Sequence, residues 1–243
     1  MASQAERLMD SRTLSLDAPR RARLAARRIA LGVASLAAAA ALTVVPSSTA
    51  SAQRVELPVN ELAAEITASA SHAVEALETF RLTGAVEDQR MLAWHRATTA
   101  RYVAQQLGYD EFAMIDAWSR ASLDHQRAVL GALTQVGVPY RTNASVEGEG
   151  FDCSGLTSYA WEGAGVELFR QSGSQISDAE PRTRETAMAG DLVHYPGHVM
   201  MYLGVEDAVV HSVNTGRTVE VDTISERRRD RVSFGDPLAG SSD

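Results

Sequence analysis

The chain contains no lysine, one cysteine and few aromatic residues, 6% of 243. Without lysine, arginine is the only strong base, and the balance is acidic: 23 Arg face 31 Asp and Glu, a formal charge of −8. That average hides a split. Residues 1–52 hold seven Arg against three acids, and residues 53–243 hold sixteen against twenty-eight. An acidic body repels phosphate backbones, which argues against a nucleic-acid partner. Seven Pro and 17 Gly are too few for a fibrous chain, and 45% hydrophobic residues are too many for a wholly disordered one. The sequence also lacks a G-x-S-x-G elbow, a phosphate-binding loop, a dinucleotide fingerprint, an H-E-x-x-H pair and any cysteine cluster. No metal or other cofactor is therefore expected.

What is present begins with an address. Arg20, Arg21, Arg23, Arg27 and Arg28 precede an apolar run of 17 residues, Ile29 to Val45, and a small-residue stretch ending Ala50-Ser51-Ala52. This order is that of a secretory signal, predicted over residues 1–52 with cleavage after Ala52. The run is short and mostly Ala, so no stable membrane span is expected after cleavage. The expected location is secreted or in the cell envelope. Export makes the lone Cys153 informative, because it has no partner for a disulfide in an oxidising compartment.

The remainder divides into a helical region, residues 53–124, and a second part, residues 125–243. In the first, Leu62, Ile66, Ala70, Ala73, Leu77 and Phe80 recur at spacings of three and four. They predict a helix capped by Asn60 and stopped by Gly84. A second helix is expected over Val86–Leu107, stopped by Gly108, and a shorter third over Glu111–Leu123. His72, Trp94, His95, Trp118 and His125 are read as packing or surface residues. In the second part, a helix opens at Phe151-Asp152-Cys153-Ser154-Gly155-Leu156. Short β-like runs follow at Leu192–Tyr195, His198–Leu203, Ala208–Val213 and Thr218–Val221, as in an antiparallel meander. Helices followed by strands predict an α+β domain.

The chemistry gathers at three points. Asp152 is a good N-cap, which places Cys153 in the first turn of its helix. There, unpaired N–H groups and the positive end of the helix dipole favour a thiolate, the nucleophilic form of cysteine. His198, Met200 and Tyr202 share one strand face, as do Val209, His211 and Val213 on the next. A two-residue turn at Gly204-Val205 would pair Leu203 with Glu206 and His198 with His211. His211 could then hold one ring nitrogen of His198 and leave the other for Cys153, the nucleophile–base–orienter logic of a triad.

These residues resemble the NlpC/P60 cysteine peptidases of the bacterial cell wall. The likeness rests on Phe151 to Leu156, on Val136-Gly137-Val138-Pro139-Tyr140 upstream, and on Arg170 to Gln175. It continues through Gly190-Asp191-Leu192-Val193, His198-Val199 and Tyr202-Leu203-Gly204, covering about residues 125–222. The resemblance implies a papain-like α+β fold and cleavage of peptidoglycan stem peptides, often between D-glutamate and diaminopimelate. It implies Cys153 as nucleophile, His198 as base and His211 as the third polar residue. Tyr140 would assist the oxyanion or bind substrate, and Asp152 and Ser154 would line a pocket that in some members receives a free stem amine. Two departures stand out, the polar Arg141-Thr142-Asn143 after Tyr140 and Leu168-Phe169-Arg170 in place of Leu-Pro-Arg.

Other patterns carry less. His194 and His198 have the i, i+4 spacing of a zinc pair, but Pro196-Gly197 breaks the helix that such a site needs. Arg227-Arg228-Arg229 reads as a solvated face. Two further function classes stay open beside the exported wall peptidase: a non-catalytic wall-binding protein of the same fold, and an amidase or acyltransferase using the same triad.

Overall fold

Glycines end the first two helices where the sequence places them. The computed structural model describes residues 58–240, all within one compact unit, so the predicted signal over residues 1–52 lies outside the described residues. The helices are α1 (Ala63–Thr83), α2 (Val86–Leu107), α3 (Glu111–Arg120), α4 (Leu123–Leu133), α5 (Cys153–Glu162), α6 (Ser172–Asp178) and α7 (Pro237–Gly240). Gly84 and Gly108 both adopt the left-handed conformation as C-caps, which a residue without a Cβ does at little cost. Asn60 does not cap α1. It stands at φ 56° and sends its amide to Thr218 Oγ1 at 2.9 Å and to the Val219 carbonyl at 3.2 Å, tying the start of the helical region to the sheet. The third predicted helix, α3, stops at Arg120 rather than Leu123, because Ser122 accepts from the His125 N–H and starts α4.

The strands are β1 (Ser145–Val146), β2 (Gly150–Phe151), β3 (Glu180–Arg182), β4 (Leu192–Tyr195), β5 (His198–Tyr202), β6 (Ala208–Ser212), β7 (Val219–Thr223) and β8 (Ser233–Asp236). The six-stranded sheet runs β3-β8-β4-β5-β6-β7 with every pair antiparallel. The meander of four predicted strands is thus extended at its β4 edge by β8 and β3. Leu192, Val199, Met201, Val210, Val219 and Val221 join the main core with the helices, and α4 and α5 pack on β6. Val193, Met200, Tyr202, Val209 and Phe234 form a smaller cluster by alternation along the strands. This is the α+β architecture expected, helices packed on an antiparallel sheet and preceded by further helices. Among the described residues, no helix is long and apolar enough to cross a membrane.

One register differs from expectation. Met201 pairs with Val210 and Tyr202 with Val209, and the Leu203 N–H meets the Ala208 carbonyl at 2.9 Å. The turn therefore spans four residues, 204–207, with Glu206 at φ 48°. Asp207 is the reason: its buried carboxylate is held by Arg184 at 2.7 Å and by Arg229, so it belongs to the turn. His211 consequently stands opposite Met200, diagonal to His198.

A buried ionic cluster fixes α4 to the sheet. His125 Nε2 lies 3.3 Å from Asp191 Oδ1 and 3.2 Å from Asp236 Oδ1, and Arg182 donates to Asp236 Oδ2 at 2.7 Å. Gly190, at φ +104°, lets the chain pass so close to His125 that a Cβ would sit 2.8 Å from its ring. Burial opposes charge on His125, but hydrogen bonds to Asp191 and Asp236 outweigh it and raise its pKa from 6.5 to about 9. The group binds its proton more tightly when folded. Its stabilisation is therefore fully present below about pH 6.5 and is lost as the pH rises through about 9. Melting temperatures followed from pH 6.5 to 9.5 are expected to fall in the wild type. His125→Ala should cost about 3–5 kcal/mol at pH 6.5 and flatten that decline; a parallel decline in the variant would show that the cluster carries no proton linkage.

Candidate active site

The local geometry around Cys153 begins with the two residues before it. The Phe151 carbonyl accepts from Ser212 Oγ at 2.7 Å and from the Arg141 N–H at 2.9 Å, which fastens the chain before α5 to the end of β6. Asp152 is the N-cap expected: its Oδ1 accepts from the Gly155 N–H at 2.7 Å. The N–H groups of Cys153 and Ser154 are left without an intrahelical partner. Cys153 is half-buried, and no other cysteine exists in the chain. Gly155 is required here, because a Cβ would stand 2.0 Å from the Ala144 carbonyl oxygen, which itself accepts the Asp152 N–H.

Asp152 and Ser154 are committed to the protein. Arg170 donates to both Asp152 oxygens, at 2.9 and 2.6 Å, and to Ser154 Oγ at 2.9 Å, while Asp152 Oδ2 also accepts from the Asn143 N–H. A carboxylate has about four acceptor positions, and these contacts fill them. Its oxygens meet protein donors, which leaves none for a substrate amine while Arg170 stays in place. Gln175 holds the same turn from beneath, donating to the Ser154 carbonyl at 3.0 Å and to the Phe169 carbonyl at 2.8 Å.

The two histidines meet despite their diagonal register. His198 Nε2 lies 2.7 Å from His211 Nδ1, and both side chains are buried. Diagonal neighbours on one face, roughly 7–8 Å apart at their backbones, are within reach of ring side chains. Burial pushes His198 down from 6.5 to about 3, with His211, Arg228 and His194 adding to the effect, so the imidazole is neutral at neutral pH. The Tyr195 ring lies against His198 at 5.2 Å across the two-residue turn Pro196-Gly197. Burial raises the Tyr195 phenol; Arg228 opposes the rise and Cys153 adds to it, so Tyr195 lies within the field of Cys153. The Tyr140 phenol is raised as well, by burial first and then by the charges of Cys153 and Asp152.

Sequence reasoning missed three residues here. Arg170 stands on a segment where no role was assigned to it. Arg228 belongs to the predicted solvated face, but its guanidinium stacks 4.0 Å above the Tyr195 ring, and Arg229 is paired with Asp207. Asp222 lies 3.4 Å from His211 Nε2. Only the β7 register places Asp222 beside this pair, and no local motif marks it. His194 is a half-buried strand residue whose Nε2 has no hydrogen-bond partner. For metal binding, the donor set His125, Asp191 and Asp236 lies within 4.8 Å, but the imidazolium and the Arg182 guanidinium already balance its two carboxylates.

Comparison with known proteins supports the resemblance. Residues 137–234 match the NlpC/P60 family. Over 101 residues, 40% of this chain, the sequence is 35% identical to a "probable endopeptidase" of Mycobacterium tuberculosis. Over 100 residues, 35% of this chain, it is 37% identical to the peptidoglycan endopeptidase RipB of the same organism. These matches span 26% and 42% of those two proteins, so this chain covers less than half of either. A solved structure of RipB aligns over 71% of this chain and 82% of that one, with TM-score 0.42 and 22% identity. RipD, described as a non-catalytic NlpC/p60 domain protein adapted to peptidoglycan binding, aligns over 47% of this chain and 98% of that one, with TM-score 0.39 and 26% identity.

The close packing at Gly155 generates a test. Gly155→Ala is expected to lower stability by about 1–3 kcal/mol, read from denaturant unfolding, because Ala144 must give way. An unchanged midpoint would mean that the 144–155 contact yields freely.

Proposed function

We propose that this protein, whose residues 137–234 match the NlpC/P60 family, is an exported cysteine peptidase hydrolysing amide bonds of peptidoglycan stem peptides, the D-glutamyl–diaminopimelate bond first among them. The observation that carries the proposal is the stitch between two distant parts of the chain. Ser212 fixes the strand-to-helix entry of Cys153 to the strand bearing His211, which is hydrogen-bonded to His198. The lone thiol at a helix start and the buried imidazole pair are the residue types that a nucleophile and its base require.

In this reading, Cys153 Sγ attacks the carbonyl carbon of the scissile amide as its proton passes to the neutral His198. The carbonyl oxygen becomes an oxyanion, held by the first-turn N–H groups of α5 with the Tyr140 hydroxyl assisting. His198 then returns its proton to the departing amine, leaving a thioester on Cys153. Water, deprotonated by His198, attacks that thioester; the acid product leaves, and the proton returns to the thiol. His211 orients the base throughout. The stem peptide carries carboxylates, and Arg228, stacked on Tyr195, offers a cation at the edge of the site on an acidic body. Asp152 and Ser154 act by holding Arg170 and the first turn, which supports cleavage within a stem over recognition of a free amine.

The test is digestion of purified sacculi by the wild type beside Cys153→Ala, with products read by mass spectrometry. New stem fragments are expected from the wild type alone, and their masses identify the bond. Equal fragments from both proteins, or none from either while both stay bound to the wall, would overturn the assignment, the latter in favour of a binding protein. Tyr140→Phe is expected to lower kcat by up to about 10²–10³-fold, the usual effect of one lost oxyanion donor, with little change in stability. An unchanged kcat would remove Tyr140 from the mechanism.

A further inference from the structure

The row of polar side chains behind His198 continues past His211. Asp222, on β7, has Oδ2 3.4 Å from His211 Nε2, and its Oδ1 accepts the Thr223 N–H at 2.7 Å. Glu220 stands directly opposite His211 in the register and is buried, but its carboxylate is taken up by Arg217 and the Thr218 hydroxyl. Among the described residues, Asp222 is therefore the acid that faces the histidine pair. Burial works to raise its carboxyl, yet the hydrogen bonds from His211 and from the Thr223 backbone outweigh this and hold it below the usual carboxylate range. Asp222 is thus an anion at neutral pH.

An anionic carboxylate only accepts hydrogen bonds. The His211 nitrogen facing it, Nε2, must then carry the proton, and a neutral His211 presents a bare Nδ1 toward His198. Across that 2.7 Å contact, His198 Nε2 is left as the donor, so His198 Nδ1 has a free lone pair. We infer that Asp222 is a positioning residue: through His211 it fixes the tautomers of both imidazoles and makes Nδ1 the basic nitrogen of His198. The inference rests on the proposed peptidase chemistry for its use, but its tautomers exist with or without substrate. When His198 takes the thiol proton, it becomes an imidazolium that donates to His211, whose other nitrogen donates to the Asp222 anion. No further proton has to move.

Asparagine at 222 reverses the pattern, because its amide can donate to His211 Nε2. That would favour a proton on His211 Nδ1, opposite His198 Nε2, and hence a proton on His198 Nδ1, where the base is needed. The experiment is long-range ¹H–¹⁵N correlation on the ¹⁵N-histidine-labelled full chain at pH 7, for the wild type, Asp222→Asn and Asp222→Glu. Both rings are expected as Nε2–H tautomers in the wild type and in Asp222→Glu, with a shift toward Nδ1–H on both in Asp222→Asn. On sacculi, kcat should fall about 10–100-fold in Asp222→Asn, below the ~10⁴-fold known for a fully buried triad acid, with KM unchanged and largely restored in Asp222→Glu. A doubly protonated His211 in the wild type, or identical tautomers in wild type and Asp222→Asn, would overturn the inference. The spectra are read without turnover, so an inactive wild type would contradict the peptidase reading and leave the tautomer result to stand or fall alone.

Discussion

Two residues of extended chain, Phe151 and Asp152, hold the site together. Their backbone is fastened to β6 through Ser212 and to the preceding loop through Arg141 and Ala144, and the Asp152 carboxylate caps α5 while gripping Arg170. The helix start that bears Cys153 thus cannot slide against the strand that bears His211. A nucleophile and its base work only when held to within a fraction of an ångström, and rigid secondary elements provide that better than loops. Gly155 belongs to the same constraint, since the Ala144 carbonyl occupies the space of its missing side chain.

The second organising feature is where charge is tolerated. The body is acidic, yet the histidine pair is buried and His198 is kept neutral, while charge is moved outward onto Asp222 and two arginines. The His125 cluster uses the opposite solution, with burial overcome by two carboxylates so that the imidazole stays protonated. The same side chain is a neutral ring at the candidate site and a structural cation behind it, and its partners alone decide which. In both places the ring bridges separate elements, α4 to the sheet in one and β5 to β6 in the other.

Much of this was legible in the sequence because it is local. Helix stops at Gly84 and Gly108, the Asp152 cap and the four apolar runs of the meander each depend on a few neighbouring residues. Long-range features were not legible. β3 contains Pro181 between charged residues and β8 follows an arginine-rich stretch, and both exist as strands only because each pairs with the other and β8 also pairs with β4. Asn60 looks like a cap until β7 lies beside it. The His198–His211 contact was anticipated on a two-residue turn, but Asp207 claims the turn for its arginines and the rings meet diagonally instead. Asp222 and Arg228 carry no motif at all. Each gains its meaning from a ring, His211 or Tyr195, that the fold brings to it.

The central claim is that Cys153 and His198 act as a nucleophile–base pair, and a chain with one thiol allows a direct test. The quantity to measure is the rate of Cys153 alkylation by iodoacetamide at pH 7 in the wild type and in His198→Gln, with unfolding curves checking that both are folded. The expected result is a slower reaction by at least about tenfold in the variant, because the thiol loses the group that accepts its proton. Equal rates in two folded proteins would show that His198 does not act on Cys153, and the cysteine peptidase reading would fall with it.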